Sequence, residues 1–117
     1  MTEDEMRAIV LSFPEVEEGK SYGSPAFLVN KKFFTRLRKD DRSLVIMEVN
    51  LDEREMLMEA EPTTFHLTAH YKDYPCVLAR IETLHPGSLK NFLERRFRKI
   101  APKKTLRAWE AEQVELK

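Results

Sequence analysis

The stretch AFLVNKKFFTRLRKDDRSLVIMEV, residues 26–49, decides how this chain folds. Three runs rich in aromatic and aliphatic side chains, 26–29, 32–38 and 43–49, are separated by short polar breaks, the pattern of strands joined by hairpins. Asn30-Lys31 suits a tight two-residue turn because Asn tolerates positive φ, and Lys39-Asp40-Asp41-Arg42 is a second turn. The stretch therefore predicts a three-stranded antiparallel meander.

Helical signals flank it. Thr2 with Glu5 three residues on is a capping box, and Met6, Ile9, Val10 and Phe13 share one face, so residues 2–12 are predicted helical up to Pro14. Residues 14–25, with three Glu, two Gly and two Pro, read as an irregular crossing loop. After the meander, Asn50 and Glu53 signal a cap, and Leu51, Met56, Leu57 and Ala60 outline a short second helix ending before Pro62. Residues 63–68 and 76–81 are β-rich and joined by AHYKDYP. Pro86 opens a third helix running to Ile100 and stopped at Ala101-Pro102. The order α-β3-α-β2-α, with hairpin connections, predicts an α+β two-layer sandwich: a mainly antiparallel five-stranded sheet with helices on one face. A single domain covers residues 1–105, and the tail 106–117 either extends as a weak helix anchored by Trp109 or frays.

At 117 residues one core suffices without staples, and 42% hydrophobic with 34% charged residues describes a globular chain. Apolar runs such as 44–47 are far short of the ~20 residues a membrane span needs, and the acidic start is unlike a signal peptide. With one cysteine, Cys76, and so no internal disulfide, the chain is expected to be cytoplasmic. His66 and His70 are four apart, but in a predicted strand and its link that spacing does not gather metal ligands. Cys76 opens a strand predicted to be buried, which favours a structural thiol over a nucleophile. No phosphate-binding glycine loop or zinc-protease motif is present. The expectation is a non-enzymatic protein needing no metal or cofactor.

The net charge of zero hides segregation. Residues 31–42 carry six bases against two acids, and 90–107 carry eight against one. In the third helix Leu89, Phe92, Leu93, Phe97 and Ile100 form the apolar stripe, leaving Arg95, Arg98 and Lys99 turned mostly outward. These bases either complement the helix dipole or neutralise phosphates. Lys31, Lys32, Arg36, Arg38, Arg95, Arg98, Lys99, Lys103 and Lys104 are the candidate nucleic-acid contacts, provided the two blocks share a face. Arg96 projects into the apolar stripe and must pair or snorkel. A second candidate cluster, for a ligand or stacked bases, is Tyr22, His70, Tyr71, Lys72 and Tyr74, the alternative being a packed turn.

SYGSPAF (21–27), KKFFTRL (31–37), HYKDYPCVLARI (70–81) and RFRKIAPKK (96–104), in this order and spacing, resemble the MmcQ/YjbR family of small bacterial proteins. The resemblance implies an α/β sandwich similar to type III secretion chaperones and, through likeness to a double-wing domain, DNA binding. It carries over no catalytic residue. Where relatives often have Trp this chain has Phe97 and Cys76, which thins any aromatic surface built on those positions. The leading expectation is a module binding DNA or RNA. The alternative is a chaperone-like module that binds another protein or a second copy of itself.

Overall fold

The computed structural model describes residues 1–21 and 23–115. Within them the chain forms α1 (Glu3–Leu11), β1 (Val16–Ser21), β2 (Ser24–Val29), β3 (Lys32–Arg38), β4 (Ser43–Met47), α2 (Leu51–Ala60), β5 (Phe65–His66), β6 (Cys76–Arg80), α3 (Pro86–Ile100) and α4 (Lys103–Glu115). The strands make one antiparallel sheet in the order β1-β2-β3-β4-β6-β5. The α+β class and the meander stand. The sequence-based count of five strands does not, because residues 16–21 are a strand and not a loop. β1 pairs with β2 from Val16–Val29 to Ser21–Ser24, but its side chains are half-buried at most. An edge strand held by its main-chain ladder shows no alternating apolar pattern, and its charges, Glu17, Glu18 and Lys20, discourage pairing with other chains.

Alternation divides the sheet into two faces. Leu44, Ile46, Val77 and Ala79 join the main core with side chains from α1, α3 and α4, while Val45, Cys76 and Leu78 form a smaller cluster on the other face. In β3 the alternation is broken. Phe27 pairs with Thr35 but Leu28 pairs with Phe33, so Phe34 is an extra residue, a bulge. The bulge lets Phe34 and Leu37 both enter the main core. Phe33 instead packs on the smaller cluster, and Arg36 and Arg38 reach Tyr71 beside it. Asn30 and Lys31 both have positive φ, 54° and 61°, as the two-residue hairpin requires.

One further expectation is corrected and one open alternative is decided. In α2, Leu51 and Met56 are exposed, and the inward stripe is Arg54 with Leu57 and Met58. An arginine at a buried position hid that stripe from a hydrophobic reading. Of the two outcomes open for the tail, the helix anchored by Trp109 is the one found: through Glu115 it continues α4, with Trp109 buried against Phe13 and Phe97, ring centroids 5.9 and 5.1 Å away. Phe34 completes this aromatic group, 5.4 Å from Phe13. Removing the ring should therefore release α4: Trp109→Ala is expected to cost about 3–5 kcal/mol, measured by urea unfolding. A loss below about 1 kcal/mol, the usual size of a surface effect, would show that α4 is not docked as described.

Candidate functional site

The face of the sheet opposite the helices is only partly covered, by the link between β5 and β6. A single 3-10 turn, Ala69–Tyr71, folds that link back so that Tyr71 packs against Val45, Cys76 and Leu78. His70, Tyr71 and Tyr74 form a ring cluster with centroids 4.7 to 6.5 Å apart. Together with Phe33, Val45, Met47 and Cys76 they line a mostly apolar hollow of about 270 Å³.

Arg54 fixes this link, and sequence reasoning did not find it. Its guanidinium, on a side chain nearly buried, donates to the Lys72 carbonyl (2.8 Å), the Tyr74 carbonyl (3.0 Å) and the Cys76 carbonyl (3.2 Å). A planar fork of donors can satisfy several carbonyls of one turn at once, which an ammonium cannot do with the same geometry. The only hint in the sequence was the helical spacing of Arg54 with Leu57 and Met58.

The two candidate sets meet on this face. Arg36 Nη1 donates to the Tyr71 hydroxyl at 3.1 Å, and the Arg38 guanidinium lies 5.7 Å from the Tyr71 ring centre. Arg38 is also paired with Asp41 at 2.7 Å. The other bases lie elsewhere. Lys31 lines a shallow cleft with Glu15 and Glu17, at a hairpin tip tied to α3 by the Asn30 amide on the Ile100 carbonyl; Lys32 is exposed beside it. Arg95 pairs with Glu53 and Lys99 with Glu48, and both line a cleft ending at Pro75. Arg98 stacks over Trp109 and approaches Glu94 at 3.9 Å. Lys103 and Lys104 are exposed in the first turn of α4. The basic blocks thus do not make one continuous face, since α3 and α4 cover one side of the sheet and Arg36 and Arg38 emerge on the other. Lys72 is exposed on the link but lines the neighbouring cleft with Asn50 and Asp73. Tyr22 lies outside the described residues. Arg96 pairs, as its projection demanded: it donates to the Phe33 carbonyl (2.9 Å) and to Glu48 (3.0 Å).

Ser43, His66 and Asp41 meet at the far end of the face. Ser43 Oγ is 2.7 Å from His66 Nε2, but Asp41 approaches that same nitrogen, at 3.5 Å. In a hydrolytic triad the carboxylate orients the ring through the other nitrogen, so this is a structural hydrogen-bond cluster. Burial, the Arg80 charge and, to a lesser extent, Arg38 lower the His66 pKa, against Asp41. Burial raises the Cys76 thiol pKa, and its Sγ donates to the Tyr71 carbonyl at 3.8 Å, which disfavours the thiolate a nucleophile needs. Among the described residues no three His, Cys, Asp or Glu side chains gather as a metal site would, and no helix is long and apolar enough to cross a membrane.

Among the described residues, an open antiparallel sheet with four α-helices and one partly bare face defines a small α+β domain. The chain belongs to the YjbR family, whose model matches residues 11–99. The match includes the whole sheet and nearly all of α3, whereas α4 lies beyond it. No curated protein and no solved structure matches the chain.

Two outcomes test the site's construction. Arg54→Met is expected to cost about 2–3 kcal/mol, the scale of lost charge-assisted hydrogen bonds, and to speed amide exchange at Tyr71 and Tyr74; unchanged exchange would remove Arg54 as the organiser. For His66 the folded pKa is below its ordinary ~6.5, so the unfolded chain binds the extra proton. Its contribution is complete above about pH 6.5 and is lost as pH falls toward the lowered value. His66→Gln should therefore flatten stability against pH on the acid side of about 6.5, and an unaltered slope would contradict the assignment.

Proposed function

We propose that this chain is a non-catalytic nucleic-acid-binding module whose contact surface is the open face of the sheet. One observation carries the reading: Arg36 and Arg38 converge on Tyr71, within the His70, Tyr71 and Tyr74 ring cluster. Guanidinium groups neutralise phosphate and present flat cationic faces, and aromatic rings stack on bases, so a sheet face holding both suits a nucleic-acid strand.

Fluorescence anisotropy with labelled DNA and RNA at ~50 and ~200 mM salt tests this. Binding should weaken with a log–log slope of about 0.7–0.9 per phosphate contacted. Arg36→Glu should weaken it at least about tenfold at the lower salt, whereas Lys103→Glu with Lys104→Glu, on the other side, should change it less than about threefold. Absence of binding to any strand at ~50 mM salt overturns the proposal.

The alternative, a module binding another protein or a second copy, has the exposed Leu51 and Met56 of α2 in its favour. Sedimentation at micromolar concentration separates the two, since a self-associating module gives a dimer without nucleic acid.

A further inference from the structure

On the nucleic-acid reading above, we infer that the hollow under Tyr71 takes one unstacked base of a single strand, so that the module prefers unpaired nucleic acid to duplex. The hollow holds about 270 Å³, just below the ~300–1,000 Å³ of sites that take drug-sized ligands. Its floor is Phe33, Val45, Met47 and Cys76, with Tyr74 and His70 exposed at the rim. That space suits one flat ring system and not a folded peptide segment or two stacked bases.

Charge complementarity names the occupant. Asp41 is engaged by Arg38, Glu48 by Arg96 and Lys99, and Glu53 by Arg95, while Asp73 stands exposed on the link between Lys72 and Tyr74. The exposed Lys72 follows Tyr71 directly, and Arg36 holds the Tyr71 hydroxyl. A slot lined by aromatic rings, with Arg36 and Arg38 at Tyr71, fits a base carrying its phosphates better than a neutral ring or an aromatic side chain of an apolar peptide. The lining offers few polar atoms that could read base edges, so recognition is by stacking and tolerates different bases. A paired base cannot enter without leaving its helix, which costs unstacking energy, and this is the source of the preference.

The test compares three labelled probes of equal length, about 12 nucleotides, within the span such sites cover: a single strand of mixed sequence, its duplex, and a strand of abasic residues with the same phosphates. The single strand should bind about tenfold or more tightly than either other probe. Tyr74→Ala, at an exposed position, and Met47→Trp, which fills the hollow, should each erase most of that advantage. Equal binding of all three probes, or tightest binding of the duplex, overturns the base pocket while leaving the nucleic-acid reading standing. No binding of any probe overturns both. Should Met47→Trp fail to fold, Tyr74→Ala still decides: an undiminished single-strand advantage in that variant overturns the pocket.

Discussion

The bulge at Phe34 sets which side chains face which way, and the two faces of this molecule follow from it. Strict alternation through KFFTRLR would place Phe34 with Arg36 and Arg38 on one face and Phe33 with Leu37 on the other. The extra residue resets the parity, so that Phe34 and Leu37 both enter the helix-covered core while Phe33, Arg36 and Arg38 turn to the opposite side. Without it, either Phe34 would be exposed or two arginines would be driven into the core, and a buried unpaired charge costs far more than an irregular ladder. Among the described residues, β3 and β4 then pair at Leu37–Leu44 and Arg38–Ser43 and part beyond. Two side chains span the gap. The Thr35 hydroxyl donates to the Val45 carbonyl at 2.9 Å, and Arg96 links the Phe33 carbonyl to Glu48 just past β4. The parting leaves Phe33, Val45 and Met47 as the floor of the hollow.

Two arginines thus do structural work that their charge alone would not suggest. Arg96 sits on the helix side and seals the strand gap with one carbonyl and one carboxylate. Arg54 has three carbonyls for partners, two on the link that carries the rings and one on Cys76, where β6 begins. Each is partly or wholly withdrawn from water, where charge-assisted hydrogen bonds are strong and unmade ones are costly. The rings of the open face are therefore held from behind by a side chain of α2, and the strand gap beneath them by a side chain of α3.

Much of this architecture was legible in the sequence. The capping box of α1 is formed, and the stripe Leu89, Phe92, Leu93, Phe97 and Ile100 is buried as its spacing required. The Asn30-Lys31 turn and the boundaries of α3 also follow from local chemistry. What was not legible depends on partners distant in the chain. β1 is stabilised by backbone pairing that leaves no mark on its exposed side chains, and the choice between an anchored and a frayed tail turned on the fit of Trp109 between Phe13, just past α1, and Phe97 of α3. Arg54 occupies a core-facing position that a hydrophobic pattern discards. The candidate site was half visible: the clustering of His70, Tyr71 and Tyr74 was evident, but their meeting with Arg36 and Arg38 hinges on a bulge that no residue type announces. Splitting of the basic residues between two faces was invisible for the same reason.

On the proposed reading the functional surface is the open face of the sheet and not the basic end of the last two helices. Mapping of backbone amide shifts by NMR, as a single-stranded oligonucleotide is titrated into the protein, tests it most directly. Perturbations are expected to concentrate at residues 33–38, 43–47 and 69–76, with the amides of α4 nearly still. Perturbations centred on residues 98–107, with the open face unmoved, would contradict it.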